Sequence, residues 1–275
     1  MLRYLSVLLA SATFAMAGIA AFPSRGRIEL KAKPKSGHLQ DVWYDGNGFL
    51  YWAHTGELFR TDLQGNVLAS VEVGGHHAGL EVRNGRLYTA VCAYNGEPRD
   101  ETTPESHVMI GEYDAETLKL VEMHVLDIND RSGSLTMLPD GSFYVGCLRP
   151  KDITERQVRF HHIGRDFKLI KTHVIDDIPV KLGIETLRRF GDKTVLFVYG
   201  TDKCYNGLGY DVIVLDGSLQ IERRGLVPGG NMGFVLDGMG GVWTGATAKD
   251  ATTGTYASAL KRLDEPPYVL KGMIP

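Results

Sequence analysis

Side chains that can bind metals or move protons recur at one position in this chain, the start of segments with alternating apolar residues. Imidazole and carboxylate groups are common metal ligands, and with amines they also serve as general acids and bases. The residues at these starts are His38, Asp41, His76, His77, Glu81, Ser132, Ser134, Lys181, Glu185 and Asn231. The residues that end the following segments are His54, Tyr94, Asn95, Arg149 and Tyr199. Polar groups that converge on a cavity need water or a ligand to offset desolvation, so the pattern predicts a polar site.

The inventory fits three kinds of chemistry, and the sequence leaves the choice open. The histidines and carboxylates have the donor types of a divalent metal site, although no HxH or HExxH spacing accompanies them. Glu81 and Glu185 form a candidate carboxylate pair for glycoside cleavage. His77 and Lys181 form a candidate base and charge stabiliser for a lyase. A further alternative is a hydrated channel whose polar groups bond only with one another.

The segments that carry these residues belong to one unit that occurs about five times after residue 36. Each unit has an apolar strand, a tight turn rich in Gly, Asp or Asn, an aromatic-rich strand, a loop and two more strands. The copies begin HLQDVWYDGNGFLYWA, HAGLEVRNGRLYTAV, SGSLTMLPDGSFYVGC, LGIETLRRFGDKTVLFVYG and MGFVLDGMGGVWTGA. A repeat of roughly 40–50 residues with four strands is typical of a β-propeller. The sequence therefore predicts an all-β, five-bladed β-propeller of four-stranded antiparallel blades, in one domain over residues 27–275.

The propeller arrangement determines which loops share a face. We name the strands of a blade A to D from the axis outward, and the B–C face is the one that holds the B–C loops and the starts of the A strands. Long B–C loops are expected at 95–106, 149–157, 200–210 and 247–257, and long loops on one face mark the functional face of a scaffold. The sequence predicts that His38, His77, Glu81, Lys181 and Glu185 line one cavity there.

The sequence does not decide how the ring of blades closes. The segment RIELKAK at 27–33 resembles an outer D strand that precedes the first unit. The last unit also ends with YVLKGMIP, which has the pattern of a D strand of its own. The N-terminal strand therefore either completes a shared last blade or adds a fifth strand at its edge, and both arrangements protect a sheet edge.

The first residues predict export. MLRYLSVLLASATFAMAGIAA has a basic residue, an apolar stretch and small residues at a cleavage position, which is the pattern of a signal peptide over residues 1–20. The alternative is an uncleaved anchor. The expected location is secreted or periplasmic, and no later segment is apolar enough to span a membrane. The net charge of −3 and scattered basic residues argue against nucleic acid as a partner.

The cysteines and two further histidines are predicted to be structural. Cys92, Cys147 and Cys204 allow at most one disulfide, and without a CxxC spacing a zinc site built on cysteine is not expected. His161 and His162 lie in the middle of a C strand, so their side chains point to opposite faces of the sheet. One of them should pack between strands and the other should be partly exposed.

Several of these segments carry a resemblance. HLQDVWYDGNGFLYWA, the Gly75-His76-His77 segment, YDAETLKLVEMHVL and DFKLIKTHVI followed by LGIETL resemble a family of predicted secreted bacterial β-propeller proteins of unknown function. The resemblance implies the fold and draws attention to His38, His76 and His77, but it implies no activity. The chain departs from the family pattern at Ala78-Gly79, and Glu185 stands where the family usually has Gln.

The sequence favours binding of a small polar ligand at the B–C face, with carbohydrate as the favoured class. The predicted ligand-binding residues are His38, Asp41, His54, His76, Tyr94, Arg149, Tyr199 and Asn231. The residues placed nearest a reacting centre are His77, Glu81, Lys181 and Glu185. Aromatic rings available for stacking on a sugar are Trp43, Tyr94, Tyr199 and Tyr205. The alternatives are a metal-dependent or carboxylate-based glycan hydrolase or lyase, and a protein-interaction scaffold. A divalent metal ion is the one cofactor considered, and a monomer is expected.

Overall fold

The computed structural model describes most of the chain after residue 21. The described residues are 22–23, 26–92, 107–148, 154–180, 183–199, 210–227, 232–237, 239–265 and 267–273. Within them, five four-stranded antiparallel sheets are arranged as a five-bladed β-propeller. The predicted fold is therefore confirmed. No helix in these ranges is long and apolar enough to cross a membrane.

The strands follow the order A, B, C, D within each of the first four blades. The chain starts with β1 (Arg27–Glu29). Blade one contains β2 (Leu39–Tyr44), β3 (Phe49–His54), β4 (Glu57–Asp62) and β5 (Val67–Glu72). Blade two contains β6 (His76–Arg83), β7 (Arg86–Cys92), β8 (Met109–Asp114) and β9 (Leu120–Val125). Blade three contains β10 (Ser132–Met137), β11 (Phe143–Cys147), β12 (Val158–Ile163) and β13 (Leu169–Ile175).

The remaining two blades complete the ring. Blade four contains β14 (Gly183–Phe190), β15 (Lys193–Tyr199), β16 (Tyr210–Leu215) and β17 (Ile221–Val227). Blade five contains β18 (Phe234–Leu236), β19 (Val242–Lys249) and β20 (Tyr256–Arg262), and its outer strand is β1. The prediction of a long B–C loop at 247–257 is wrong, because β19 and β20 remain paired as far as Lys249 and Tyr256, which leaves a shorter connection.

The N-terminal strand closes the ring by completing a shared blade. Ile28 in β1 pairs with Leu260 in β20. The strand expected near the C-terminus is not formed, because Tyr268–Leu270 is a short 3₁₀ helix that packs against blade four. Pro267, just before it, has no N–H to donate to a sheet ladder. Of the two closures that the sequence allowed, the shared blade is the one observed.

The hydrophobic core lies between neighbouring blades rather than on the axis. Trp52 of blade one and Trp243 of blade five are fully buried in the same cluster, which also contains Ile28 and Leu260. The closing strand therefore contributes apolar contacts as well as hydrogen bonds. Its removal would expose both this cluster and the edge of β20.

We expect Ile28→Ala to lower the free energy of unfolding by about 2–5 kcal/mol, the usual cost of emptying a buried Ile site. The Ile28 side chain is only 2% exposed between blades five and one. Val67→Ala is the matched control, since Val67 is 39% exposed on the outer strand β5 and should change stability by about 0.5 kcal/mol or less. Urea denaturation of both variants measures the difference. Equal losses would show that β1 is not part of the cooperative unit.

Candidate functional site

A β-bulge interrupts the inner strand at the same place in four of the blades. The register shifts between Leu39 and Asp41, Ala78 and Leu80, Ser132 and Ser134, and Ile184 and Thr186. Bulges re-aim side chains and are frequent beside functional sites. They lie at the starts of the A strands, where the sequence predicts the site. The inserted residues are Gln40, Gly79, Gly133 and Glu185.

The two glycines at these bulges are required by close packing around the axis. A Cβ atom on Gly79 would collide with the backbone N of Leu135 in the next blade. A Cβ atom on Gly133 would come within 2.7 Å of the carbonyl oxygen of Ile184. Since these two positions have no room for a side chain, Gln40 and Glu185 are the polar groups that the four bulges carry.

Asp41 is at the centre of a buried ion pair that joins several blades. It is 0% exposed, and its Oδ1 atom accepts a hydrogen bond of 2.6 Å from Nη2 of Arg188, which is 3% exposed. Its Oδ2 atom accepts from the backbone N–H of Leu80 at 2.8 Å. Arg188 also donates from Nε to the carbonyl of Phe234 at 3.2 Å. The pair therefore ties blades one, two, four and five together across the axis.

Asp41 is surrounded by the donors of an ionised carboxylate. Burial raises the pKa of Asp41 above its ordinary value, although the Arg188 guanidinium and the N–H groups of Leu80 and Val42 act against burial. Three N–H donors on one carboxyl group favour its charged form. Asp41 thus has a structural role, and its negative charge acts on Glu185. Arg188 was not among the predicted site residues, although two adjacent arginines in an otherwise apolar inner strand were a usable signal.

Glu185 differs from Asp41 because no hydrogen-bond donor of the described residues stabilises its charged form. It is 5% exposed and makes no hydrogen bond with any residue that the structure describes. Burial, followed by the nearby charge of Asp41, raises the pKa of Glu185 to about 8. The carboxyl group therefore keeps its proton at neutral pH. A protonated carboxyl group in a polar site is the form needed to donate a proton.

Glu81 is a second carboxyl group with a raised pKa. Its Oε2 atom accepts hydrogen bonds from Oγ1 of Thr136 at 3.1 Å and from the N–H of Met137 at 3.2 Å. Burial raises the pKa of Glu81 to about 7, although these hydrogen bonds and Arg188 act against burial. The Oε1 atom makes no hydrogen bond within the described residues. The inner strands β6 and β14, which carry Glu81 and Glu185, approach each other across the axis.

Two histidines at strand starts, His38 and His76, and one at the end of β3, His54, are held in their neutral form. Nε2 of Gln40 donates to Nε2 of His38 at 2.9 Å, and the ring of His54 donates from Nδ1 to the carbonyl of Gly37 at 3.0 Å. Burial lowers the pKa of His38. Burial also lowers the pKa of His54 and that of His76 to about 4. At neutral pH these rings provide hydrogen-bonding groups without positive charge.

His77 points away from its neighbour, as successive residues of a strand do. It is 0% exposed, and its Nε2 atom shares a hydrogen bond of 2.7 Å with the hydroxyl of Tyr113 in the C strand β8. Burial and the neighbouring His76 lower the pKa of His77 to about 3. The structure thus places His77 in the packing of blade two. The three carboxyl groups are coupled electrostatically instead: Arg188 pairs with Asp41 and acts on Glu81, and the charge of Asp41 acts on Glu185.

The other predicted site residues are placed as follows. Trp43 is half-buried between blades one and two, with the guanidinium of Arg188 5.0 Å from its ring centre. Tyr199 ends β15, and only its backbone is described. The predicted residues outside the described ranges are Tyr94, Asn95, Arg149, Lys181, Tyr205 and Asn231.

A group of side chains that could hold a metal ion lies within the described ranges, but it is not at the axis. One set of three side chains, Asp130, Cys147 and His161, has ligand atoms within 4.8 Å of one another. All three are buried in or next to blade three. The axial histidines and carboxylates belong to no such set in the described part of the chain.

A comparison of the sequence with protein-family models and with curated proteins finds no match. Solved structures do resemble the fold. The Bacteroides ovatus protein Xyloglucan PUL GH43B has a TM-score of 0.59 and 10% identity over 89% of this chain and 56% of its own. An exo-β-1,3-galactanase from Phanerochaete chrysosporium has a TM-score of 0.56 and 9% identity over 90% of this chain and 68% of its own.

A xylan β-1,4-xylosidase from Bacillus halodurans has a TM-score of 0.56 and 12% identity over 86% of this chain and 54% of its own. The chain thus spans little more than half the length of two of these three proteins. At such low identity the likeness shows the five-bladed propeller fold alone.

Proposed function

We propose that this protein hydrolyses a glycosidic bond in a carbohydrate bound at the B–C face, with Glu185 as the proton donor. The observation that carries the proposal is the carboxyl group of Glu185, which is buried, makes no hydrogen bond with the described residues and has a pKa raised to about 8. Departure of a sugar leaving group requires a proton on the glycosidic oxygen, and a carboxylic acid with a raised pKa supplies it.

The second carboxylate of the reaction is assigned to Glu81. Glycoside hydrolysis uses one carboxylic acid and one carboxylate, the latter to activate water or to attack the sugar. Glu81 retains an oxygen that makes no hydrogen bond with the described residues, and its pKa of about 7 lets it ionise while Glu185 stays protonated. Asp41 is excluded from this role because both of its oxygens accept hydrogen bonds from Arg188 or Leu80.

Asp41 and Arg188 act by positioning and by charge. The Asp41 carboxylate contributes to the raised pKa of Glu185, so it keeps the acid in its protonated form. Arg188 lowers the pKa of Glu81, so it favours the base in its ionised form. Burial raises the pKa of both carboxyl groups, and the ion pair then acts on the two in opposite directions, as is usual where acid and base roles are divided.

The substrate class is supported by the fold comparison. Propellers of the same architecture include proteins described as a β-1,3-galactanase and a β-1,4-xylosidase. We therefore expect a neutral oligosaccharide, with galactose-based and xylose-based chains as the first to be tested. The neutral histidines at the strand starts suit hydrogen bonds to sugar hydroxyl groups.

We expect hydrolysis with a maximum between about pH 7 and 8. The rate should fall below this range as Glu81 gains a proton, and above it as Glu185 loses one. The measurement is the release of reducing ends from galacto- and xylo-oligosaccharides by the purified full chain, as kcat/KM against pH. Binding of these sugars without release would replace hydrolysis by the plain carbohydrate-binding alternative. An activity maximum near pH 5 would contradict the assigned acid.

A further inference from the structure

Blade three contains a buried polar cluster at a position where blades one and four are apolar. His161 in β12 pairs with Val145, and the corresponding positions in blades one and four are Phe59, opposite Trp52, and Ile213, opposite Leu196. His161 is 2% exposed, whereas its neighbour His162 is half-buried. The two side chains thus differ in exposure, as expected from their places in the strand. A polar ring in a core position is costly unless it is bonded.

The cluster brings three different donor atoms together. Cys147 at the end of β11 is 0% exposed, and Asp130 in the connection before β10 is 8% exposed. The ligand atoms of Asp130, Cys147 and His161 all lie within 4.8 Å of one another. The ring of His161 donates from Nε2 to Oδ2 of Asp130 at 3.0 Å. Within the described ranges, Cys92 and Cys147 form no disulfide.

We propose that Asp130, Cys147 and His161 bind a zinc ion. A thiolate, an imidazole and a carboxylate are the ligand types that zinc takes in proteins, and three such ligands leave a fourth tetrahedral position for another donor. The proposal reverses two expectations from the sequence, which predicted no zinc site built on cysteine and a structural role for His161. The three residues are spread over three elements, and no CxxC or HExxH spacing is present. They become neighbours only when blade three forms.

The surrounding hydrogen bonds have the pattern of an outer coordination shell. Oγ1 of Thr172 on β13 lies 2.9 Å from Nδ1 of His161. With zinc on Nε2, the Nδ1–H group donates to this hydroxyl, which fixes the ring as outer-shell partners of ligating histidines usually do. Nη1 of Arg159 donates to Oδ2 of Asp130 at 2.8 Å, and ligating carboxylates commonly have such a donor.

The charges around the site are consistent with a divalent ion. Oδ2 of Asp130 accepts hydrogen bonds from Nη1 of Arg159 at 2.8 Å and from Nε2 of His161 at 3.0 Å. A carboxylate and a thiolate are anionic ligands suited to a divalent cation. Zinc binding would release the proton of the Cys147 thiol and shift the single proton of a neutral His161 ring from Nε2 to Nδ1. The two anionic ligands, Asp130 and Cys147, then balance the metal charge.

Cys92 provides a matched control within the same protein. It is a buried thiol at the end of the B strand β7, 2% exposed, and it is not part of a metal-binding set in the described residues. Burial raises the pKa of Cys92 to about 11. A thiol of this kind should not bind zinc, so the two cysteines separate a specific site from general thiol affinity.

The test is metal analysis of the purified full chain after dialysis against zinc, followed by replacement with cobalt(II). We expect one zinc per chain and a thiolate-to-cobalt charge-transfer band in the wild type and in Cys92→Ser. Cys147→Ser should lack the band, and circular dichroism shows whether it is folded. Thr172→Val, on the exposed outer strand, should keep the fold and weaken zinc binding by roughly 10- to 100-fold.

Two results would overturn the site. One is a wild-type chain that is folded but binds no stoichiometric zinc and shows no thiolate-to-cobalt band. The other is zinc affinity that is unchanged in Thr172→Val and in folded Cys147→Ser. Because neither readout involves a sugar, failure here leaves the proposed hydrolysis untouched, and the reverse also holds.

Discussion

Glu185→Gln is expected to reduce glycoside hydrolysis by about 10²- to 10⁴-fold, the usual contribution of a general acid. Glutamine has the shape of a protonated glutamate but cannot release a proton. Substrate binding should therefore persist while kcat falls. The measurement is kcat and KM on the oligosaccharide that the wild type cleaves. Glu116→Gln, an exposed residue in the turn between β8 and β9, is the matched control and should leave both constants unchanged.

The same variant should gain stability at alkaline pH. The pKa of Glu185 is about 8 in the folded state against an ordinary value of 4.5, so the folded protein holds a proton that the unfolded chain releases in this range. Stability from this group is therefore complete below about pH 4.5 and is lost as the pH rises toward 8. Glutamine removes that loss.

Each pKa unit corresponds to about 1.4 kcal/mol, so at pH 8.5 the variant should exceed the wild type by on the order of 3–5 kcal/mol. At pH 5 the two proteins should be nearly equal. Urea denaturation at both pH values measures the difference. A stability difference that does not change with pH would show that Glu185 is not a buried acid, whatever its effect on hydrolysis.

Arg188→Met is expected to destabilise the protein by about 3–5 kcal/mol, because it leaves the Asp41 carboxylate buried without its partner. Both side chains are almost fully buried, and Arg188 also bonds the carbonyls of Phe234 and Val42. Since the pair joins blades on opposite sides of the ring, the loss should appear as a lower midpoint of global unfolding by urea.

The exposed pair Arg27–Glu29 is the matched control. Its Nε–Oε1 distance is 2.7 Å, similar to the 2.6 Å of the buried pair, but its side chains are 51% and 66% exposed. Arg27→Met should cost about 0–1 kcal/mol. The double variant Asp41→Asn with Arg188→Met should be less destabilised than the sum of the two single changes. Additive losses would mean that the two side chains do not interact.

The blades could be predicted from sequence because their signals are local. The segment Asp45-Gly46-Asn47-Gly48 specifies a tight turn, and Gly46 and Gly48 do adopt positive φ angles of 79° and 102°. Apolar alternation with a period of two on either side of such a turn specifies strands. The way the ring closes could not be predicted, because β1 pairs with β20 more than 200 positions away, and neither segment has a pattern that specifies its partner.

The inner-strand positions could also be predicted, but the direction of their side chains could not. A β-bulge shifts the two-residue alternation by one, so residues before and after it no longer follow a single pattern. His76 and His77 precede the bulge at Gly79 and Glu81 follows it. From sequence alone, nothing distinguished the histidine that packs on Tyr113 from the groups that surround the axis.

What the sequence determined by itself is the set of strands, their turns and the polar residues at their starts, since each depends on neighbours within a few positions. The tertiary structure alone decided which of these groups act on one another. Asp41 and Arg188 are 147 positions apart and meet only across the closed ring. The proton on Glu185 depends on burial and on the charge of Asp41, which are properties of the assembled blades and not of any segment.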